Sequence, residues 1–316
     1  MLQEISDTTK RFADPQQPTR ILLSNIEDNN YSIFKQFATL NSSIYKTPGR
    51  LYIGEPLSVS NSMAIDFSRS EYSNLLMIGE DTEKARSMFV FAILSLCINY
   101  KIDHQLAPNK PFIYLFNCKP LDDSYFKDTP KLLAEFLPEY IQYVRCGDTN
   151  EIQTVVSKMY ENVTNGASEI ETDNYFFVFG YQRAEELKSE IQLSQSEDID
   201  SLFNIMPTSN ISRMSLKDMF RTIVKNGAQK GIHTILWQDS FNALYQDDKD
   251  IMSYFSMKIA FDMSPEEYSR FVSANDVSLM SENNAIYYNR ARDNQKFRPY
   301  QSPDEDWLKN ISDKLK

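Results

Sequence analysis

The chain has 316 residues, of which 41% are hydrophobic and 13% aromatic, enough to bury one large core or two modest ones. The formal net charge is -11 and the pI about 4.8, so bare DNA repels the isolated chain unless a local basic patch overrides the average. His104 and His233 are the only histidines, and neither has a neighbour at metal-ligand spacing. A histidine-based metal site or a Ser-His-Asp triad is therefore close to excluded, and we expect no metal site.

Three separate cysteines and the absence of a targeting signal indicate the compartment. Cys97, Cys118 and Cys146 have no CxxC motif or Cys/His cluster around them, which predicts reduced core thiols. Residues 1–20 are polar, and the longest apolar run, 87–100, is too short to span a bilayer. We therefore expect a cytoplasmic chain without a membrane-spanning segment, and its polar start would also suit a segment of a longer protein.

Short β-rich runs alternate with longer helical patterns, which is the rhythm of an α/β fold. Strands are predicted at 63–67, 74–79, 112–118, 140–146, 175–180, 233–238, 257–262 and 285–290. Helices are predicted at 82–100, 131–137, 150–165 and 215–226, with one more after Gln182. Several strands are apolar on both faces, as a mostly parallel sheet with helices on both faces requires.

The domain organisation is predicted to be simple. An N-terminal extension, residues 1–50, precedes one domain, residues 51–316. The polar and acidic segment 192–210 shows no clear period, and we expect a long loop or a partly disordered insertion there.

The stretch NLLMIGEDTEK begins like a phosphate-binding loop, with an apolar run, a glycine and then a helix. The P-loop pattern GxxxxGK[ST] wraps phosphates in backbone N–H groups, adds a lysine and holds Mg²⁺ through the Ser/Thr hydroxyl. Counted from Gly79, the second glycine falls on Lys84. The lysine then falls on Ala85 and the hydroxyl on Arg86. A loop one residue shorter aligns Lys84 with the lysine but still has no second glycine and no hydroxyl.

Carboxylates occupy the place where phosphates would bind. Glu80, Asp81 and Glu83 lie at the start of the predicted helix, where the dipole and free N–H groups attract anions. Asp81 is predicted to be the N-cap, and negative charge there both stabilises the helix and repels ATP. We favour a self-capped structural helix over a phosphate site.

The strand that would carry the hydrolytic carboxylates also departs from the pattern. ATP hydrolysis needs an Asp/Glu pair directly after an apolar strand, to hold the metal's water and polarise the attacking water. In NYFFVFGYQRAEEL the strand ends in Gly180 and Tyr181, and Glu185 and Glu186 follow on a predicted helix. No catalytic residue is therefore predicted, and we expect the chain not to be an enzyme.

The order of several segments resembles a known family. NLLMIG with its loop and helix, YFFVFGYQRAEEL, FRTIVKNGAQKGIHTILWQDS, MKIAFDMSPEEYSRFV and a closing KFRPY resemble the last ATPase-like domain of FtsK/SpoIIIE-type proteins. They are most similar to the degenerate modules of multi-domain members, over roughly residues 50 to 300. The resemblance implies a RecA-like P-loop NTPase fold of the HerA/FtsK family. Its members form rings or tandem arrays that move DNA or, in the secretion branch, engage protein substrates.

The resemblance also implies residue roles. The run KGIHTILWQ resembles the family's GIH-apolar strand and places Gln238 where active relatives sense nucleotide. Together with Gly79, Thr82 and Lys84, it makes up a vestigial nucleotide-binding set. Arg183 is a candidate arginine finger towards a neighbouring subunit, with a helix-start arginine paired with Glu186, or simply solvated, as the alternative.

Three further groups are open between partner binding and ordinary structure. A DNA-facing strip or plain solvated surface is predicted for Lys225, Lys230, Arg290, Arg292, Lys296 and Arg298. A base- or partner-stacking surface or one buried helix face is predicted for Trp237, Phe241 and Tyr245. A partner surface or core packing is predicted for Tyr125, Phe126, Phe136 and Tyr140.

The leading hypothesis is a catalytically inactive FtsK/SpoIIIE-like module without a cofactor. It would have a structural, regulatory or partner-binding role in a larger ATP-driven bacterial machine that translocates DNA. Its partners would be other domains or subunits of that machine, and DNA only through the assembly. The alternatives are an ATPase domain with an unorthodox P-loop that binds ATP and Mg²⁺, and a module that docks the protein substrate of a secretion-type ATPase.

Overall fold

The structure, a computed structural model, describes residues 49–57, 63–118, 128–165, 172–190, 214–272, 284–289 and 292–316. The predicted N-terminal extension up to residue 48 and the predicted loop 192–210 lie outside these ranges.

A nine-stranded sheet is the centre of the fold. Numbered along the chain and given in sheet order, the strands are β2 (Gly54–Pro56), β11 (Arg292–Pro299), β10 (Ala285–Asn289), β9 (Met257–Phe261), β4 (Leu75–Ile78), β8 (Ile232–Gln238), β7 (Asn174–Phe179), β5 (Ile113–Asn117) and β6 (Ile141–Arg145). Neighbours from β9 to β6 are parallel, whereas β10, β11 and β2 continue the sheet in antiparallel fashion. A separate antiparallel pair joins β1 (Arg50–Leu51) to β3 (Ile65–Asp66). The mostly parallel sheet predicted from the apolar strands is thereby confirmed.

Helices cover both faces of this sheet. In the described residues they are α1 (Thr82–His104), α2 (Thr129–Phe136), α3 (Thr149–Thr164), α4 (Glu185–Lys188), α5 (Leu216–Asn226), α6 (Phe241–Asp248), α7 (Pro265–Val272) and α8 (Glu305–Leu315). Side chains alternate along each strand, so that Leu75 and Met77 pack with α1, α2 and α8 while Leu76 and Ile78 pack with α3, α5, α6 and α7. The result is a three-layer α/β/α architecture with one core on each side of the sheet.

The helix α1 is the centre of one core. All its residues from Ala85 to Asn99 are buried. Two of its polar side chains bond to the segment before β3: Ser95 Oγ accepts from the Tyr52 amide at 3.0 Å, and Asn99 Nδ2 donates to the Arg50 carbonyl at 2.8 Å. By length and composition α1 could cross a membrane, but 83% of its most apolar window is buried in the fold, and a buried core helix passes the same test.

The expectation of three reduced thiols is wrong for two of them. Cys118 and Cys146 form a disulfide, with their Cα atoms 4.8 Å apart. They follow β5 and β6, whose parallel pairing brings the two strand ends together. Strand adjacency, which sequence spacing does not reveal, creates this pair. Cys97 is a buried free thiol, as predicted.

Candidate nucleotide site at the carboxyl edge of the sheet

The predicted vestigial nucleotide site lies where β4 ends and α1 begins. β4 is flanked by β8 and β9, and ligands of parallel α/β sheets bind in the crevice outside the carboxyl ends of such central strands. The strand ends at Ile78 and the helix begins at Thr82, which is partly exposed. Residues 79–81 are thus the whole connection. In GxxxxGK[ST] the span between the two glycines alone is longer, so this connection is too short to encircle a phosphate.

Gly79 is needed for close packing against a neighbouring strand. A Cβ at this position would collide with the backbone oxygen and the ring of Phe261, the last residue of β9. Its amide donates to the Gln238 carbonyl at 3.2 Å, and its carbonyl accepts from Trp237 Nε1 at 3.0 Å. Both polar backbone groups of Gly79 are therefore engaged by β8 and are not directed at a ligand.

The amides at the start of α1 are already capped. Asp81 Oδ1 accepts from the backbone N–H groups of Glu83 and Lys84, at 2.9 and 3.0 Å. These donors are the ones that a bound phosphate would use at a helix N-terminus. The predicted N-cap is confirmed, and its carboxylate occupies the place of the anion.

The amine of Lys84 is held by carboxylates. Its Nζ donates to both carboxylate oxygens of Asp262, at 2.6 and 2.8 Å, and lies 3.5 Å from Asp81 Oδ2. Asp262 follows β9 directly and has φ of 41°, in the left-handed region that Asp tolerates better than most residues. Asp262 thus presents to Lys84 the two oxygens that a phosphate would offer.

A buried arginine stands at the P-loop hydroxyl position. Arg86 is 2% exposed, and its guanidinium pairs with Glu83. The other oxygen of Glu83 accepts from Ser302 Oγ at 3.4 Å. A fixed positive charge here repels Mg²⁺, which the P-loop hydroxyl would otherwise bind.

The end of β7 offers no acid in the place where hydrolysis needs one. Gly180 has φ of 86°, and Tyr181 after it is buried. Burial, and after it the charge of Asp248, raises the pKa of Tyr181 above its ordinary value, so the phenol stays neutral. Glu185 and Glu186 lie on α4, as predicted.

The structure brings together only part of the predicted site set. Gln238 ends β8 beside Gly79 and is 1% exposed. Its Nε2 donates to Asp239 at 3.3 Å, while its Oε1 has no hydrogen-bond partner within the described ranges. Arg183 is exposed at the end of β7, which β8 separates from β4. It forms no ion pair with any residue that the structure describes, so the proposed pairing with Glu186 is not formed.

Asp262 is the site residue that sequence reasoning missed. Its signal was an acid at the end of the predicted strand 257–262, but only the sheet order places that strand beside Gly79. The parallel pairing of β4 with β9, a strand from a distant part of the chain, places the Asp262 carboxylate within hydrogen-bonding distance of Lys84.

The predicted basic strip is not assembled. Lys225 and Lys230 lie close before β8, whereas Lys296 and Arg298 lie on β11, and β4, β9 and β10 stand between these strands in the sheet. These four residues do not form one strip. Arg290 and the side chain of Arg292 lie outside the described part.

The aromatic groups are divided between core and surface. Trp237 belongs to β8, so the three aromatic residues do not share one helix face. Phe241 is buried, while Tyr245 is 44% exposed. Tyr140 is a core residue and Phe136 packs against the same core, whereas residues 125 and 126 lie outside the described ranges.

Comparisons with known proteins show the fold. No family model and no curated protein matches the chain. Among solved structures, the cytoplasmic domain of the type VII secretion ATPase EccC of Thermomonospora curvata matches with a TM-score of 0.54 and 13% identity, covering 85% of this chain and 31% of that one. EssC (ATPases 2 and 3) from Geobacillus thermodenitrificans matches with a TM-score of 0.57 and 14% identity, covering 84% and 48%. This chain has a P-loop NTPase fold.

A third match completes the picture. The pCW3 conjugation coupling protein TcpA, in its monomer form with ATPγS, has a TM-score of 0.56 and 13% identity, covering 86% of this chain and 72% of that one. The resemblance to FtsK/SpoIIIE-type ATPase domains is thus confirmed at the level of the fold. The chain spans less than half the length of the EccC and EssC structures.

Proposed function

We propose that this chain is a catalytically inactive FtsK/SpoIIIE-like module with a structural, regulatory or partner-binding role in a larger ATP-driven machine. The observation that carries the proposal is the pairing of Lys84 with Asp262, at 2.6 and 2.8 Å, beside a helix start that Asp81 already caps. The groups that would bind phosphate are bound to the protein's own carboxylates.

Electrostatics support the same proposal. Glu80 is exposed at the site, and Asp81, Asp239 and Asp262 are partly exposed around it. Two like charges 4 Å apart repel by about 1 kcal/mol in bulk water and by roughly four times as much near a protein surface. A polyphosphate would meet this repulsion several times, and it would also have to displace Asp262 from Lys84.

The larger machine is inferred from the solved structures. The EccC and EssC structures contain more chain than this protein matches, and the EssC structure comprises ATPases 2 and 3. We infer tandem ATPase domains or subunits as the partners. A bacterial, cytoplasmic, DNA-translocating machine is supported by the sequence resemblance, and TcpA is a coupling protein of conjugation.

A second candidate is a docking module for a protein substrate. One solved structure shows EccC (ATPases 2 and 3) in complex with a signal sequence peptide, with a TM-score of 0.53 to this chain. In this case the chain would bind a peptide without ATP. The ATP-binding alternative through Gly79, Thr82 and Lys84 is opposed by the carboxylates around Lys84.

The test is calorimetric titration of the chain with ATP and Mg²⁺, for the wild type, for Lys84→Ala and for Lys131→Ala. Lys131 is a matched control because it is exposed on α2 and pairs only loosely, at 3.6 Å, with Glu135. We expect no binding heat and no thermal stabilisation at millimolar ATP in any of the three. Binding that Lys84→Ala abolishes and Lys131→Ala preserves would overturn the proposal and identify an unorthodox P-loop.

A further inference from the structure

The disulfide lies at the same edge of the sheet as the vestigial nucleotide site. Cys118 and Cys146 extend β5 and β6 by one residue, since the Cys118 amide donates to Phe179 O at 2.9 Å and the Cys146 amide to Asn117 O at 3.2 Å. Their Cα separation of 4.8 Å lies within the range of protein disulfides. The Cys118 carbonyl also packs against Gly180, where an added Cβ would lie 3.1 Å from that oxygen. The bond therefore borders the position at which an active relative would need its acid.

The bond closes a ring around the outermost part of the described sheet. β6 is its last strand and pairs with β5 alone. Next to the bond, Asn117 Nδ2 donates to both carboxylate oxygens of Asp128 at 3.1 Å and lies 3.2 Å from the Tyr143 hydroxyl. Asp128 in turn caps α2. One covalent bond and one polar network thus hold β5, α2 and β6 together, and we name these three elements the outer unit.

The three cysteines differ in accessibility in a way that suits selective chemistry. Cys146 is partly exposed, Cys118 is 2% exposed and Cys97 is completely buried. Burial raises the pKa of the Cys97 thiol well above its ordinary value, which keeps it unreactive. An external thiol or disulfide reagent can therefore enter through Cys146.

We propose that Cys118 and Cys146 form a thiol–disulfide switch that sets the rigidity of the outer unit. In the oxidising direction the Cys146 thiolate attacks a glutathione disulfide and releases one glutathione thiolate. The Cys118 thiolate then attacks the Cys146 sulfur of the mixed disulfide and releases the second glutathione. Two electrons pass from the protein thiols to glutathione disulfide, and the two protons that the protein thiols lose are taken up by the two released glutathione thiolates. This inference does not depend on whether the chain binds nucleotide.

The test equilibrates the protein in a series of glutathione buffers, then counts free thiols by alkylation and intact mass. We expect the conversion to be reversible. After unfolding for labelling, the oxidised chain should show one free thiol and the reduced chain three. In the native reduced protein, Cys97 stays unlabelled. Amide hydrogen exchange should rise about tenfold or more over 129–145 on reduction, with β4 and β8 unchanged, and the melting temperature should fall by about 5 °C.

The control variants distinguish a redox switch from a permanent structural disulfide. Cys118→Ser with Cys146→Ser should behave like the reduced protein in every buffer, and Cys97→Ser should keep the full response. If the double variant does not fold, Cys146→Ser alone, at the more exposed position, serves the same purpose. The proposal is overturned if glutathione never opens the bond, if it never forms, or if both redox states show the same exchange over the outer unit.

Discussion

Single carboxylates account for the character of the candidate site. Asp81 and Asp262 satisfy the helix amides and the lysine that a nucleotide would otherwise need. Each also has a structural role: Asp81 caps α1, and Asp262 is the positive-φ residue at which the chain leaves β9. The site is therefore filled by the protein's own anions.

Removing these internal anions should create weak phosphate binding. Asp81→Ser keeps an N-cap, and Asp262→Asn keeps a residue that tolerates the left-handed region, so the double variant removes two charges with little change in backbone. We expect millimolar pyrophosphate to raise its melting temperature by about 1 to 2 °C but not that of the wild type. Differential scanning fluorimetry measures this, with Asp148→Ser, a cap change on α3, as control. Equal stabilisation of the wild type would contradict the internal-anion explanation.

The glycine at the end of β4 should be irreplaceable for steric reasons. Gly79→Ala pushes a methyl group into the backbone of Phe261, and we expect a loss of about 3 kcal/mol in the free energy of unfolding. Gly147→Ala is the control, because an added Cβ there meets nothing within 4 Å and only its φ of 102° is unfavourable. That control should cost about 1 to 2 kcal/mol. Urea denaturation compares the two, and an equal loss would refute the packing role of Gly79.

At the scale of elements, apolar runs predicted the sheet well and its margins poorly. The strands from β4 to β10 were predicted within a residue or two, because most of them are buried runs of apolar residues. β11, RDNQKFRP, was missed because most of its residues are polar at the sheet margin, and the very short β1 and β2 carry too little pattern. Predicting that Asp262, at the end of β9, pairs with Lys84 would have required the sheet order, which no local sequence pattern contains.

The free energy of unfolding should depend on pH through Asp173, at the beginning of β7. Burial raises the pKa of Asp173, but hydrogen bonds from His233, at 3.4 Å, and from Arg69, at 2.8 Å, outweigh it and hold that pKa below its ordinary value. A lowered pKa stabilises the fold above the unfolded value of 3.8, and this contribution is lost as pH falls through the folded pKa. Urea midpoints measured from pH 6 down to pH 2.5 should therefore fall more steeply for the wild type than for Asp173→Asn.

The same variant should be weaker at neutral pH. Asp173→Asn replaces charge-assisted bonds with neutral ones and should lose about 1 to 3 kcal/mol at pH 7. Asp313→Asn, an exposed acid on α8, is the control and should change little. Parallel pH curves for the wild type and Asp173→Asn would show that Asp173 does not carry the effect.

At the scale of the whole molecule, charge argues against DNA binding by the isolated chain. The net charge is -11, and the described lysines and arginines of the predicted strip are separated in the fold, with Lys225 and Lys230 before β8 and Lys296 and Arg298 on β11. We expect fluorescence anisotropy with a labelled duplex to show no binding at physiological salt and no steep salt dependence below it. Tight binding that weakens steeply with salt, and is lost in Lys225→Ala with Lys230→Ala, would reverse this expectation.

Long-range contacts of the central strands also constrain how the chain can fold during its synthesis. Asn74, just before β4, bonds to the Thr234 amide 160 residues later and to the Tyr254 carbonyl 180 residues later. The centre of the sheet therefore cannot close until most of the chain has left the ribosome, and such long-range pairing is slow. Until then α1, apolar and as long as a bilayer is thick, has emerged without β8 to β11, which complete the sheet that covers it. A chain ending at residue 231 should consequently float with lipid vesicles or aggregate, and the full chain should not.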